Sequence, residues 1–266
     1  MANLSKNFSD LDNYKIKDSI ITIGSFDGIH LGHKKVLDKI NLLAKNKINA
    51  TKVVITFEPN PNFIIGKNKL NKNHLISSLN DKIHILTNKY KIDTVVVLKF
   101  DKKFASITAI DFLRKVIKCF QPTDFIVGYN HKFGFKKEGD IDFLKKNSIK
   151  YNYKTHKVGA KKIYIDNTKN IKSTTISSTL IREKLLKGKI ISVNMLLGRY
   201  FSLVGTVVRG KGIGKKINFP TINIVPFENG IIRPNRGVYL VKVSIDKILY
   251  KGMCNIGFRP TVTNSK

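Results

Sequence analysis

DSIITIGSFDGIHLGHKKVLDKINLLAKN, residues 18–46, decides the fold. Ile20, Ile21 and Ile23 form a short β-branched run that stops at Gly24, and Val36, Leu37, Ile40, Leu43 and Ala44 then recur at helical spacing. The stretch reads as strand, glycine loop, helix. Working outward, residues 51–59 (TKVVITFEP) and 93–101 (DTVVVLKFD) are two further apolar strands, with the helical segment SSLNDKIHILTNKY between them. ITAIDFLRKVIKCF followed by TDFIVGYN, and IDFLKKN followed by IKYNYKTHKV, continue the alternation. Strands that alternate with helices predict a doubly wound parallel α/β sheet of Rossmann type, with ligands at the C-terminal strand ends on one rim.

The pattern changes after residue 187. FSLVGTVV, INFPTINIV, GVYLVKVSID and ILYKGMCNIG are short apolar runs separated by Gly, Pro and Asn turns, which predicts a small antiparallel β-barrel. Residues 188–200 (GKIISVNMLLGRY) read as a short helix with Ser192 as N-cap and Gly198 as its stop. The expected organisation is residues 1–187 as one α/β domain, 188–199 as a linking helix, and 200–266 as a C-terminally incomplete barrel.

Composition narrows the function. The chain has 266 residues, 42% hydrophobic and 25% charged, ordinary globular usage that excludes fibrous and low-complexity classes. No window approaches eighteen uninterrupted apolar residues and the first residues lack a signal-peptide core, so a cytoplasmic location is expected, without membrane insertion. Cys119 and Cys254 stand far apart in apolar stretches, as reduced thiols do. The net charge of +31 would suit a polyanion, and a non-catalytic nucleic-acid-binding or structural protein is the alternative it raises. Against it, the basic residues are 42 lysines and only seven arginines, scattered among Asn and Ile rather than clustered with aromatics. The same field attracts anionic small molecules such as ATP.

GSFDGIHLGH, residues 24–33, carries the chemistry. His30 and His33 fall on one face at a helix start, and Gly32 between them lets a ligand approach closely. Free N–H groups and the positive end of the helix dipole suit phosphate oxygens there. A zinc site would need a third ligand that no nearby Cys or acidic cluster offers.

This stretch resembles the HxGH signature of nucleotidylyltransferases, and the chain as a whole resembles the bacterial bifunctional riboflavin kinase/FAD synthetases. TFEPNP (56–61), VGYNHKFGFKKEGD (127–140), ISSTLIREKLLKG (176–188), GKKINFPTINI (214–224), GVYLVKVSI and NIGFRPT (255–261) carry the likeness in the family's order. The resemblance implies transfer of AMP from ATP to FMN, giving FAD and pyrophosphate, with Mg²⁺ as cofactor. His30, His33 and Arg182 are the implied catalytic residues. Gly24, Phe26, Asp27, Gly32, Ser178 and Thr179 are the implied ATP contacts, with Arg182 reaching the triphosphate. Phe57, Asn60 and Asn130 are implied on the FMN side, Asn60 standing where the family often has His. His131 is expected to pack or meet solvent.

GTVVRGKG (205–212) is not a Walker loop, because Gly212 stands where Ser or Thr must hold Mg²⁺. The resemblance instead implies Gly210, Gly212 and Gly214 as the kinase nucleotide loop, and Thr221 and Asn223 as oxygen donors to Mg²⁺ and ATP. In the family further strands follow the RPT motif and carry a glutamate base for riboflavin. This sequence stops at Lys266 and offers only Asp246 and Glu228 nearby, so kinase activity is expected to be weak or absent. The partners expected are small molecules: ATP, FMN and riboflavin.

Overall fold

A computed structural model describes residues 3–65, 74–167, 170–210, 218, 220–227 and 230–257. In chain order the strands are β1 (Asn3–Lys6), β2 (Ser19–Ile23), β3 (Thr51–Glu58), β4 (Thr94–Lys99), β5 (Pro122–Gly128), β6 (Lys154–Val158), β7 (Lys162–Asn167), β8 (Asn170–Thr175), β9 (Gly205–Val208), β10 (Asn223–Pro226), β11 (Gly237–Ile245) and β12 (Ile248–Ile256). The helices are α1 (Leu31–Lys45), α2 (Pro61–Ile64), α3 (Leu79–His84), α4 (Lys102–Ala105), α5 (Ala109–Phe120), α6 (Ile141–Ser148), α7 (Ser178–Leu186) and α8 (Ile190–Leu197).

Six strands form one parallel sheet in the order β1-β4-β3-β2-β5-β6. Strand β2 is buried at every position, as a central strand covered on both faces must be. From β2 the chain winds outward through β3 to β4, then returns to β5 on the other side of β2. Right-handed crossovers therefore put the helices on opposite faces. Val36, Leu37 and Ile40 of α1 pack on one face with Leu86 and Tyr90, and Phe112, Leu113, Val116 and Phe120 of α5 pack on the other with Leu144 of α6. The winding reverses between β2 and β5, and the crevice outside the carboxyl ends of those two strands is where such sheets bind ligands.

The short ribbon β7–β8 was not among the expected elements. In the C-terminal part all four expected strands form. They pair as two antiparallel ribbons, β9 with β10 and β11 with β12, the latter through a turn at Asp246 and Lys247, both at positive φ. That is the backbone twist a two-residue hairpin requires.

Between the two parts lies a third apolar cluster: Ile76, Ile181, Leu185, Val193, Leu196, Leu197 and Ile232. Helix α8 starts at Ile190 behind Lys189, so Ser192 is inside it and not its N-cap, whereas Gly198 does end it at φ 66°. The helix starts early because Ile190, Val193 and Leu197 all face this cluster, and packing outweighs the missing cap. Leu75 exchanges backbone hydrogen bonds with Gly230 and Ile232, and Asn235 donates to Leu185 O. Residues 230–235 thus seat the C-terminal ribbons on the α/β part.

Candidate active site

The crevice predicted by the winding is a cleft of about 1020 Å³, at the upper end of ordinary ligand sites. Gly24, Phe26, His30, Gly32, His33, Phe57, Asn60, Asn130 and Ser178 all line it. Gly24 follows β2, Phe57 lies near the end of β3 with Asn60 just beyond it, and Asn130 stands beyond β5, so one rim of the sheet gathers residues separated by a hundred positions.

His30 is the N-cap of α1, and its Nδ1 accepts from the amides of Gly32 (3.1 Å) and His33 (3.3 Å). This corrects the expectation of free N–H groups at the helix start, since His30 itself takes them. The arrangement also fixes the tautomer. With Nδ1 accepting, the ring carries its proton on Nε2 and can donate from there. The His33 ring stacks on it with centroids 3.8 Å apart, and Nδ1 of His33 is buried with no hydrogen-bond partner among the described residues.

Burial pushes His30 down to about 4, with Arg199 and Arg182 adding to the effect. His33 is held well below the usual histidine range by burial, then by His30 and Lys82. Both rings are neutral donors near pH 7. His131, which stacks on Phe133 as packing residues do, is also lowered to about 4 by burial. Histidines that are neutral when folded but titrate near 6.5 when unfolded give the unfolded state the greater proton uptake below that pH. Their contribution is therefore complete above about pH 6.5 and is lost as the pH falls toward about 4. Urea midpoints will be lower at about pH 5 than at about pH 7.5, and His131→Phe will narrow the gap. A gap unaltered by that substitution would contradict the sign or the residue.

Gly32 has a steric role. A Cβ there would lie 2.9 Å from His30 Cε1 and 3.0 Å from Nδ1, with Ile176 O at 3.4 Å. Gly32→Ala will displace the His30 ring and break the cap, at a stability cost of about 1 kcal/mol. If urea unfolding and the amide shifts of residues 30–33 stay as in the parent, the contact is not limiting.

Three residues expected at ATP lie elsewhere. Asp27 is buried, accepts from Ile76 N at 2.9 Å and pairs with the Arg182 guanidinium. Arg182 also donates from Nε to His74 O at 2.7 Å. The pair is consumed in pinning the loop after β2 to α7, and neither residue lines the cleft, contrary to the expected reach of Arg182 to a triphosphate. Thr179 is exposed on the first turn of α7 and does not line the cleft either. The helix is capped by Ser177, whose Oγ accepts from Leu180 N, while Ser178 Oγ donates to Asp27 O at 3.0 Å. Asn60 lines the cleft and caps the short α2 through Asn62 N at 3.1 Å.

The sequence reading missed two features. Phe100, Phe104, Phe112 and Phe133 extend Phe57 into an aromatic wall of the cleft, with successive centroids 5.3–6.1 Å apart. Phe100 and Phe104, four apart just beyond β4, were the available signal. Lys82 is buried beneath the loop, with Nζ 3.4 Å from Thr56 Oγ1, which donates to Ser25 O at 3.1 Å. A lysine in an amphipathic helix carries no mark that it points inward. Lysines 102, 132, 136, 137 and 161 rim the cleft and make it attractive to anions.

In the C-terminal part, Gly210 follows β9, Thr221 is exposed, and Asn223 opens β10 opposite Val208. Gly212, Gly214 and Glu228 lie outside the described residues, as do residues 258–266.

Comparison with known proteins agrees with both halves. A family model described as FAD synthetase matches residues 12–179, and one described as riboflavin kinase matches residues 197–266. A bifunctional riboflavin kinase/FMN adenylyltransferase of Buchnera aphidicola is 36% identical over 94% of this chain and 76% of its own length. Its Bacillus subtilis counterpart is 32% identical over 91% and 73%, and that of Escherichia coli K12 is 31% identical over 91% and 74%. A crystal structure described as a macrolide-efflux protein from Streptococcus pneumoniae shares the fold with a TM-score of 0.81 and 28% identity, over 97% of this chain and 78% of that one. Among the described residues, no helix is long and apolar enough to cross a membrane. The expected loss of the kinase finds no support, because the riboflavin kinase model matches the whole of the second part. With both family models in order and relatives above 30% identity across nearly its full length, the chain belongs to the bifunctional riboflavin kinase/FMN adenylyltransferase family.

Proposed function

We propose that the cleft at the winding reversal binds FMN and ATP and transfers AMP to the FMN phosphate. An FMN phosphate oxygen attacks the α-phosphorus of ATP, the bond from that phosphorus to the bridging oxygen breaks, and pyrophosphate leaves with the electron pair. The nucleophile is already an anion, so no base is needed, and the protein's task is in-line positioning and stabilisation of charge on the leaving group. The observation that carries the reading is the stacked pair His30 and His33 at the start of α1, both lining the cleft. His30 Nε2–H and the His33 ring donate to phosphate oxygens, and Gly24, Phe26, Gly32 and Ser178 shape the nucleotide side. Phe57 and the aromatic wall take the flavin ring, with Asn60 and Asn130 at its polar edge. Asp27 and Arg182 position the loop.

Among the described residues, no group of three or more His, Cys, Asp or Glu is placed to hold a metal ion. The polar side chains lining the cleft are imidazoles, hydroxyls, amides and ammonium groups, with no carboxylate among the described lining, so Mg²⁺ enters as part of the substrate MgATP. In this reading residues 1–187 carry adenylyl transfer, 188–199 connect, and 200–266 carry riboflavin phosphorylation, for which the family match at 197–266 is the support. There Thr221 and Asn223 offer the neutral oxygens that a hard cation bound to ATP accepts. The enzyme thus works on soluble cytoplasmic nucleotides.

The test is incubation of the purified protein with FMN and MgATP labelled at the α-phosphate. Label will appear in FAD, with one pyrophosphate released for each. No FAD above an enzyme-free control would end the proposal.

A further inference from the structure

The end of α8 grips the loop on both sides of His30. Gly198 sits against Leu31 so closely that a Cβ would lie 2.6 Å from Leu31 Cδ2. Arg199 Nη1 donates to Ile29 O at 3.3 Å. Residues 29 and 31 flank His30, and residue 29 is strained: it is a buried β-branched side chain at φ 35°, preceded by Phe26 at φ 48° and Gly28 at φ 79°. Such a conformation persists only where its surroundings hold it. Ile29 N is tied to Phe26 O at 3.3 Å, and the Arg199 guanidinium holds the carbonyl at the other end of the same residue. Arg199 is itself half-buried beside a small cavity shared with Ser77, Asp81 and Phe201, so its reach is fixed by packing.

We propose that Arg199 is a positioning residue for adenylyl transfer: a side chain supplied from the riboflavin-kinase-matched part of the chain holds the strained Ile29 carbonyl and so sets the His30 ring in the other part's active site. The family model for FAD synthetase ends at residue 179 and the riboflavin kinase model begins at 197, so the residue that completes the first site lies outside the FAD synthetase match, at the end of the connecting segment where the kinase match begins. The proposal rests on the reading of the cleft as the adenylyl-transfer site.

The full chain is tested as Arg199→Met and Arg199→Lys. Two measurements are made: steady-state FAD formation, and amide hydrogen exchange without substrates. In Arg199→Met, kcat will fall by about 10²-fold, the cost of misplacing a catalytic group by about 1 Å, while KM for FMN and MgATP moves by less than about 3-fold. The Gly32 and His33 amides, which bond to His30 Nδ1, will exchange faster, and those of Ile21 and Thr22 in β2 will not. Arg199→Lys keeps a donor and will recover about a tenth or more of the parent kcat. Should Arg199→Met fail to fold, Arg199→Lys and Gly198→Ala, read by the same exchange at Gly32 and His33, decide the matter. Parent kcat with unchanged exchange in Arg199→Met, or unchanged exchange in Gly198→Ala where Arg199→Met does not fold, overturns the proposal, and so does acceleration shared equally by Ile21 and Thr22, which is ordinary destabilisation. If the parent chain makes no FAD but Gly32 and His33 still respond to Arg199, the adenylyl-transfer reading fails and the positioning of His30 stands.

Discussion

His33→Ala will lower kcat for FAD formation by about 10² to 10³, the largest effect expected of any single change in the cleft. Burial holds the imidazole neutral, so in the proposed mechanism it acts as a fixed dipole and donor rather than as a charge, and it gains strength as negative charge collects on the departing pyrophosphate. An interaction used chiefly in the transition state lowers kcat and kcat/KM together and leaves KM for ATP near the parent value. Nδ1 of His33 makes no hydrogen bond among the described residues that the substitution could break, so its stability cost is confined to the ring contacts with His30 and Phe26 and is read separately by urea unfolding. A folded His33→Ala protein with parent turnover would remove this ring from the mechanism.

Arg182→Met will destabilise the protein by about 3–5 kcal/mol, because it leaves the Asp27 carboxylate buried without its charge partner. The Asp27 side chain is 2% exposed and would keep the Ile76 amide as a hydrogen-bond donor. Arg182→Lys will fall between the two, since one ammonium cannot reach Asp27 and His74 O in the geometry of the guanidinium fork. Urea unfolding measures the loss, and a value below about 1 kcal/mol would rule out the buried clamp. Substrate kinetics separate the roles. A clamp loses ATP and FMN binding alike, whereas a selective loss of ATP binding would restore a direct contact between Arg182 and the triphosphate.

The strands were legible because parallel strands covered on both faces are written as unbroken apolar runs, as in Val95, Val96, Val97 and Leu98. The HxGH residues were legible for a local reason: His30, Gly32 and His33 are near neighbours in sequence, so spacing alone places them on one turn. The ribbon β7–β8 was not, since its few apolar residues, Ile163, Tyr164, Ile165 and Ile171, are set among Lys, Asn, Ser and Thr and are too short a run to stand out. The partnership of Asp27 with Arg182 spans 155 positions, and each residue type is equally at home in solvent, so only the folded chain reveals that both are buried. The same holds for Arg199, whose sequence context is a helix end and whose partner is a backbone carbonyl 170 residues away.

The cluster of Ile76, Ile181, Leu185, Val193, Leu196, Leu197 and Ile232 makes the two parts poor candidates for separate expression. A chain severed between α7 and α8 would return those side chains to water on two separate polypeptides, Ile76, Ile181 and Leu185 on one and Val193, Leu196, Leu197 and Ile232 on the other. Either fragment would inherit a sticky patch and a tendency to aggregate.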